Sequence, residues 1–148
     1  MKARITFSII LSILTSINLF GQQNVEKTLV KAFNLTGIHS VLIDVPTENQ
    51  VVINEWNQEQ MRVVMTVSLG NGSDQMLKSL VKVGRYNLDS ADENSDLRVY
   101  LPGLEREVKL RSGDKLIENI NFEIYVPANT HVKTMLNEDI AEKSESSF

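Results

Sequence analysis

Apolar and polar residues alternate with a period of two along most of this chain, and that alternation constrains the fold more than any other feature. The clearest case is MRVVMTVSL, residues 61–69, in which every second residue, from Met61 to Leu69, is apolar. Successive side chains of a β-strand point to opposite faces, so one such face can be buried and the other solvated. The chain is therefore predicted to be mainly β, with further strands in the segments 29–35, 40–46, 51–56, 85–88, 96–102, 104–110 and 117–127.

One segment departs from this period and predicts a short amphipathic helix at about residues 73–83. Ser73 stands where an N-cap residue is expected, Asp74 falls in the first turn, and Gly84 follows the end. Apolar residues at helical spacing form one stripe, which consists of Met76, Leu77, Leu80 and Val81. This is the single helix that we predict between residues 22 and 136.

A nine-residue pattern occurs twice, as IDVPTENQV at 43–51 and as IYVPANTHV at 124–132. Proline has no backbone N–H and ends strand pairing, so each copy predicts a corner where one strand stops and the next begins. A related segment, VYLPGLEREV at 99–108, predicts a third corner. These corners favour a winding sheet of the β-solenoid or β-roll type, and a β-sandwich or an open barrel is the alternative.

The N-terminus has the three-part organisation of a secretory signal peptide: a basic start, an apolar run from Ile5 to Phe20, and small or polar residues around Gly21. We expect residues 1–21 to be removed on export, with an uncleaved membrane anchor as the alternative. Residues 22–136 are predicted to form a single β-rich domain, and the charged segment 137–148 a disordered tail. No later segment is apolar over the ~20 residues that a transmembrane helix needs.

Cysteine content and charge limit what can stabilise this chain and what it can bind. With no cysteine, the chain has neither disulfides nor a cysteine-linked lipid, so its core must hold the fold. Removal of residues 1–21 takes away two of the 15 basic residues and none of the 19 acidic ones, which leaves a formal net charge of −6. An acidic chain without a basic patch is not expected to bind nucleic acid.

The segment DENSD begins like a calcium-binding loop, because Asp92, Asn94 and Asp96 match its first three ligand positions. The match ends there. Leu97 stands where the loop needs glycine, and Gly103 stands where a glutamate should close the site. A polar hairpin turn explains these residues better than calcium does.

Two further groups of residues could carry chemistry. His39 and His131 are the two histidines, and neither has a second ligand at metal-binding spacing. Glu105 and Glu107 project side by side from the predicted strand 104–110, where they alternate with basic residues such as Lys109, as on a solvated surface. We therefore predict no catalytic, metal-binding or cofactor-binding residues, and a chain that is not an enzyme.

Aromatic residues offer a different possibility, a platform on which a carbohydrate could stack. The candidates are Trp56, Tyr86, Tyr100 and Tyr125. A tryptophan at a strand end is more often a half-buried packing residue. A periplasmic module that binds a small ligand or glycan around Trp56 and Tyr100 is therefore kept as the alternative function, with its ligand-binding residues unknown.

The order of segments FNLTG, VLIDVP, VVINEW, MRVVMTV, LKSLVKVGRYNL, LRVYLPGL and INFEIYVPANTHV resembles exported bacterial proteins of the DUF4097 type. These are similar to the auto-transporter adhesin head domains (GIN/DUF2807) of Bacteroidetes. The resemblance covers roughly residues 27–136 and implies a β-solenoid or β-roll that is secreted or surface-exposed and has no established enzyme activity. We expect a non-enzymatic protein of the periplasm, outer-membrane surface or exterior. It would act through contacts with envelope or surface proteins, in an oligomeric state that the sequence leaves open.

Overall fold

The computed structural model describes residues 25–46, 49–93 and 95–135. Within these ranges the chain forms eight strands, one α-helix and one 3₁₀ helix, so the prediction of a mainly β chain with a single α-helix is confirmed. The strands are β1 (Glu26–Asn34), β2 (Ser40–Asp44), β3 (Gln50–Trp56), β4 (Gln60–Leu69), β5 (Asp89–Glu93), β6 (Asp96–Tyr100), β7 (Glu118–Pro127) and β8 (His131–Thr134). The α-helix α1 spans Asp74–Lys82, and the 3₁₀ helix spans Pro102–Glu105.

The eight strands form two mixed sheets of four strands each. The front sheet has the order β1-β4-β7-β3, with β4 antiparallel to β1 and β7, and β3 parallel to β7. The back sheet has the order β5-β6-β2-β8, with β5 antiparallel to β6, and β2 parallel to both β6 and β8. Each sheet keeps two edge strands, so among the described residues neither closes into a barrel.

A single hydrophobic core joins the two sheets. Its centre is the inward face of β4 and β7, where Met65 and Ile124 are fully buried, and the back sheet contributes Val41 and Val99. Burying one such side chain stabilises the fold by about 1.5–3 kcal/mol. Because one cluster contains residues of both sheets, the two sheets pack face to face, as in the β-sandwich that was the alternative prediction.

The two copies of the repeated pattern are corners at which the chain crosses between the sheets. After Pro46 the chain passes from β2 in the back sheet to β3 in the front sheet, and after Pro127 it passes from β7 in the front sheet to β8 in the back sheet. A hydrogen bond of the same spacing follows each proline, since the Pro46 carbonyl accepts from the Asn49 N–H at 3.0 Å and the Pro127 carbonyl from the Thr130 N–H at 3.1 Å. The two corners lie at opposite ends of the parallel strand pairs, because Pro46 precedes the start of β3 whereas Pro127 is opposite Trp56 at the end of β3. The prediction that the pattern marks corners of a winding chain is confirmed for both copies.

The predictions of a third corner and of a strand after it are wrong. Pro102 begins the 3₁₀ helix, and beyond it the segment 104–110 has only an isolated bridge between Lys109 and Lys115. The cause is a close contact, because Gly103 packs against the backbone carbonyl of Arg85. Hydrogen bonds from the Arg85 side chain to the Gly103 and Arg106 carbonyls also tie this segment to the turn after α1.

The predicted helix is confirmed as α1, and its two ends have the expected caps. The Ser73 hydroxyl accepts from the Met76 N–H at 3.2 Å, and Leu77 on the apolar stripe is fully buried. At the other end Gly84 adopts a left-handed φ of 79°, with bonds from the Gly84 N–H to the Val81 carbonyl and from the Arg85 N–H to the Leu80 carbonyl, both 3.0 Å. This is a Schellman cap.

The same cap explains why the strand predicted at 85–88 is wrong. Residues 83–86 form the turn after α1, and the strand of this region, β5, starts at Asp89. Arg85 is bonded to the helix end and Tyr86 is buried, so neither is free to pair within a sheet. Alternation at four residues was too short a signal to outweigh the helix cap.

Three sequence predictions concern the ends of the chain. The signal peptide at 1–21 and the tail at 137–148 lie outside the described residues, and the single domain 22–136 extends slightly beyond them. Within 25–46, 49–93 and 95–135, no helix has the length and hydropathy that crossing a membrane requires.

Candidate functional site

The outward faces of the two sheets differ in chemistry. On the front sheet one row across the strands joins Val30, Val64, Glu123 and Val52, and Val30 and Val52 are 62% and 42% exposed. On the back sheet the outward positions carry charges, namely Asp44, Asp96, Arg98 and Lys133. The back sheet therefore has an ordinary solvated face, whereas the front sheet exposes apolar side chains to water.

Beside the exposed valines lies a cluster of Trp56, Arg62 and Tyr125, which we call the aromatic–arginine cluster. The Arg62 guanidinium carbon is 4.8 Å from the centre of the Trp56 ring and 4.7 Å from the centre of the Tyr125 ring. The two ring centres are 5.6 Å apart, with their planes inclined at 42°. A guanidinium this close to both rings makes two cation–π contacts.

Strand register brings these three side chains together. Arg62 of β4 is directly opposite Tyr125 of β7, and Trp56 at the end of β3 is opposite Pro127, two residues further along β7. Trp56 and Tyr125 are both anchored, because the Trp56 indole N–H donates to the Gln60 carbonyl at 2.9 Å and the Tyr125 hydroxyl donates to Glu123 at 3.1 Å. Both rings are thus held in place by hydrogen bonds within the chain.

Arg62 has no acidic partner among the described residues, unlike Arg85 and Arg98. Arg85 is paired with Glu118, and Arg98 with Asp44. The Arg62 side chain makes no hydrogen bond or ion pair with any described residue, and its Nε is buried without a hydrogen-bond partner. Arg62 was not identified from the sequence. The available signal was a lone arginine at an outward position of an otherwise uncharged strand face, residues 62–68.

A second polar cluster, Arg85, Tyr86 and Glu118, lies in the interior. Arg85 donates from Nε and Nη2 to the two carboxylate oxygens of Glu118 at 2.7 and 2.5 Å, and the Tyr86 hydroxyl donates to Glu118 at 2.5 Å. Arg85 Nη1 also donates to the carbonyls of Gly103 and Arg106, at 2.8 and 2.9 Å. The cluster joins the turn after α1, the 3₁₀ helix and the start of β7.

The same contacts set the pKa values in this cluster. Burial alone would raise the pKa of Glu118, but the hydrogen bonds from Arg85 and Tyr86 outweigh it and hold that pKa below its ordinary value. Burial, followed by the bond to Glu118, raises the pKa of the Tyr86 hydroxyl. The hydrogen bond to Glu118 raises the pKa of Arg85. A carboxylate kept ionised in this way cannot serve as a general acid near neutral pH.

Glu105 and Glu107, predicted to share a strand face, instead follow one another through and beyond the 3₁₀ helix. Both line a cleft of about 350 Å³ that Arg85 and Glu118 also line. Three carboxylates therefore border one cleft. Both oxygens of Glu118 are occupied by Arg85 and Tyr86, so it binds protein groups and presents no free oxygen to this cleft.

The structure brings together two of the four aromatic residues predicted as a platform. Trp56 and Tyr125 meet in the aromatic–arginine cluster, whereas Tyr86 is 2% exposed in the core. Tyr100 lies on the back sheet, where Arg98 stacks on its ring at 5.3 Å, and it lines a separate cleft of about 360 Å³. The prediction of a joint site of Trp56 and Tyr100 is wrong, because the two residues lie on the outward faces of different sheets.

The polar groups considered as metal sites are dispersed along strands β2, β5, β6 and β8. Asp92 lies in β5 and Asp96 in β6, where Asp96 accepts from the Ser40 hydroxyl at 2.6 Å; Asn94 lies outside the described residues. His39 and His131 are exposed at the starts of the neighbouring strands β2 and β8, since Ser40 pairs with His131. Across the described part of the chain no three His, Cys, Asp or Glu side chains are grouped to hold a metal ion.

Comparison with known proteins gives a distant structural likeness. No protein-family model matches the chain, and no curated protein sequence matches it. A crystal structure of a "putative cell adhesion protein" from Clostridium sporogenes aligns with a TM-score of 0.40 and 12% identity. The alignment covers 74% of this chain and 45% of that protein, so the chain spans less than half of that protein's length.

Proposed function

We propose that this chain is a non-enzymatic β domain that acts through protein contacts, and that the contact surface is the outward face of the front sheet. The observation that carries the proposal is the aromatic–arginine cluster beside the exposed Val30 and Val52. Tryptophan, tyrosine and arginine are the residues most enriched at the energetic centres of protein interfaces. Anchored aromatic side chains on a partly apolar sheet face suit contact with another folded surface.

The proposal includes an exported protein of the cell envelope or surface. The three-part pattern of residues 1–21 supports export, and the resemblance to DUF4097-type and adhesin-head proteins supports a place at the envelope. Such a domain would contact envelope or surface proteins in an adhesin-like role. Chemistry at the cleft beside Glu118 is not part of the proposal, because that carboxylate is fully engaged by Arg85 and Tyr86.

The alternative, a module that binds a small ligand or a glycan, would use Trp56 and Tyr125 as stacking residues. A sugar stacks on an open ring face. Arg62 already lies over one face of each ring, which leaves less of either ring for a sugar. The protein-contact function is therefore favoured.

Site-specific photo-crosslinking tests the contact surface. A benzophenone amino acid is placed at Val52 on the front sheet and, as a matched control, at Leu42, an outward position of the back sheet. Both variants are irradiated in envelope extracts of the host. We expect a discrete protein crosslink from position 52 and none from position 42. Equal crosslinking from both positions, or crosslinking from position 42 alone, would contradict the proposed surface.

A second arm separates the two candidate functions. The wild-type protein is screened against neutral and acidic oligosaccharides by tryptophan fluorescence, since Trp56 is the single tryptophan and would report binding at the cluster. The contact function predicts no saturable change with the neutral oligosaccharides. A saturable change together with no crosslink at position 52 would favour the glycan-binding alternative.

A further inference from the structure

We propose that Arg62 is the residue that recognises the partner, and that it does so by binding a carboxylate of an aspartate or glutamate side chain on the partner protein. This inference rests on the proposed contact function and adds the chemistry of the partner. It starts from the state of the guanidinium, which is stacked and oriented but has no anionic partner among the described residues.

The stacking geometry determines where an anion can bind. The two ring centres lie 4.8 and 4.7 Å from the guanidinium carbon and only 5.6 Å from each other, so both rings lie on the same side of it and leave its terminal N–H groups available for hydrogen bonds. Nε is buried and has no partner, whereas the two terminal nitrogens are not buried and make no hydrogen bond within the described residues. The stacked side chain thus presents a donor edge at low entropic cost, which is the arrangement that binds a carboxylate in a bidentate way.

The surroundings of Arg62 favour a carboxylate over a phosphate. Among the described residues, Arg62 is the single basic residue at an outward position of the front sheet. Lys27 and Lys31 are paired with inward residues of β4, and the charged residues at the other outward positions, Glu26 and Glu123, are acidic. A phosphate group carries a charge of about −1.5 to −2 near neutral pH, which one guanidinium does not neutralise, whereas a carboxylate carries a single charge. One guanidinium beside apolar residues instead matches one carboxylate on a surface with apolar neighbours.

The neighbouring valines favour a protein as the source of that carboxylate. Val30 and Val52 are exposed in the row next to the one that contains Arg62 and Tyr125. A partner whose carboxylate reaches Arg62 would cover this row with its own apolar side chains. Burial of the valines would exclude water from the ion pair and strengthen it.

The test observes the Arg62 side chain directly. In ¹⁵N-labelled protein the Arg62 Nε–Hε resonance, assigned by its loss in Arg62→Lys, is followed while a capped tetraglutamate peptide is added. A capped tetraglutamine peptide at equal ionic strength is the control. We expect a saturable shift with tetraglutamate that is at least fivefold larger than with tetraglutamine. A shift no larger than the control would overturn the inference.

Sodium glucuronate and inorganic phosphate, added in the same way, distinguish other sources of the anion. Tighter binding of phosphate than of tetraglutamate would overturn the assignment of a carboxylate. Tighter binding of glucuronate would overturn the assignment of a protein partner, because it would point to an acidic glycan.

The crosslink at position 52 separates failure of this inference from failure of the proposed function. With Arg62→Gln in the same chain we expect the crosslink yield to fall at least fivefold, while the matched change Arg111→Gln in the exposed turn at 111–113 leaves it unchanged. A crosslink that persists in Arg62→Gln would leave the contact function standing and overturn the role of Arg62. Absence of the crosslink in the wild-type protein would overturn the contact function itself.

Discussion

Arg85 and Glu118 form a bidentate ion pair between the turn after α1 and the first residue of β7, with N–O distances of 2.7 and 2.5 Å. Their side chains are only 8% and 13% exposed. The pair also anchors the 3₁₀ helix through the Gly103 carbonyl, so three separate segments depend on it. Its main role is to hold the irregular segment 101–117 against the core.

Removal of Arg85 or Glu118 alone is therefore expected to destabilise the fold strongly. Arg85→Met should lower the free energy of unfolding by about 3–5 kcal/mol, because it leaves the Glu118 carboxylate buried without its cation. Urea denaturation monitored by circular dichroism measures the loss. The control is Lys78→Gln in the exposed pair with Asp74, which should change stability by less than about 1 kcal/mol. Equal effects of the two substitutions would contradict a structural role for the buried pair.

The depressed pKa of Glu118 predicts how stability depends on pH. In the unfolded chain this carboxyl titrates near its ordinary value of 4.5, and in the fold it titrates lower. The stabilisation is therefore fully present above pH 4.5 and is lost as pH falls through the folded pKa. Unfolding of the wild type and of Glu118→Gln should be compared at neutral pH and below the folded pKa. The difference between them should shrink on acidification, and a constant difference would show that Glu118 does not titrate in this way.

Gly103 is expected to be intolerant of any side chain. A Cβ at this position would lie 2.1 Å from the Arg85 carbonyl oxygen, a backbone atom that cannot move alone. Gly103→Ala should destabilise the fold by at least about 2 kcal/mol through overpacking. At Gly70 the corresponding contact is 2.9 Å to the side-chain methyl Cγ2 of Ile117, which can rotate away. Thermal unfolding should thus show a smaller loss for Gly70→Ala, and the reverse order would be inconsistent with the packing described.

Arg62 should contribute little to stability, in contrast to Arg85. Arg62→Met keeps an unbranched chain between Trp56 and Tyr125 and removes a buried nitrogen that has no partner. The lost cation–π contacts are worth about 0.5–1 kcal/mol each at exposed sites, and removal of the unsatisfied donor offsets part of this. We expect a change within about 1 kcal/mol by urea denaturation. A loss as large as that of Arg85→Met would show that Arg62 is structural, and would weaken its assignment to partner recognition.

The sequence was a sufficient guide wherever a local pattern ran long enough. The alternation in β4 and β7 identified the buried faces that contain Met65 and Ile124, because period two over ten residues has no competing interpretation. The cap at Ser73 fixed the start of α1 for the same local reason. The short alternation at 85–88 failed because the cap of α1 includes Arg85, and the one at 104–110 failed because Gly103 and Arg106 are bonded to Arg85, which is distant in sequence.

The sequence predicted only some of the residues of the candidate site. The sequence indicated Trp56 and Tyr125 as aromatic candidates but grouped them with Tyr86 and Tyr100, which the structure places in the core and on the other sheet. Arg62 carried no motif. Its place in the cluster follows from the pairing of β4 with β7 and of β7 with β3, which gathers residues 56, 62 and 125 on one outward face.

The sequence by itself thus determined the class of the fold, the buried face of each long strand, the helix and the two proline corners. Each of these depends on neighbours within about ten residues, where backbone geometry fixes which way a side chain points. Only the tertiary structure decided that the corners cross between two sheets, that Arg85 and Glu118 pair in the interior, and that Arg62 lies against Trp56 and Tyr125 with no acidic partner among the described residues. Those features depend on strand order and register, which are set by packing among segments up to 91 residues apart, such as the parallel pairs β2–β8 and β3–β7.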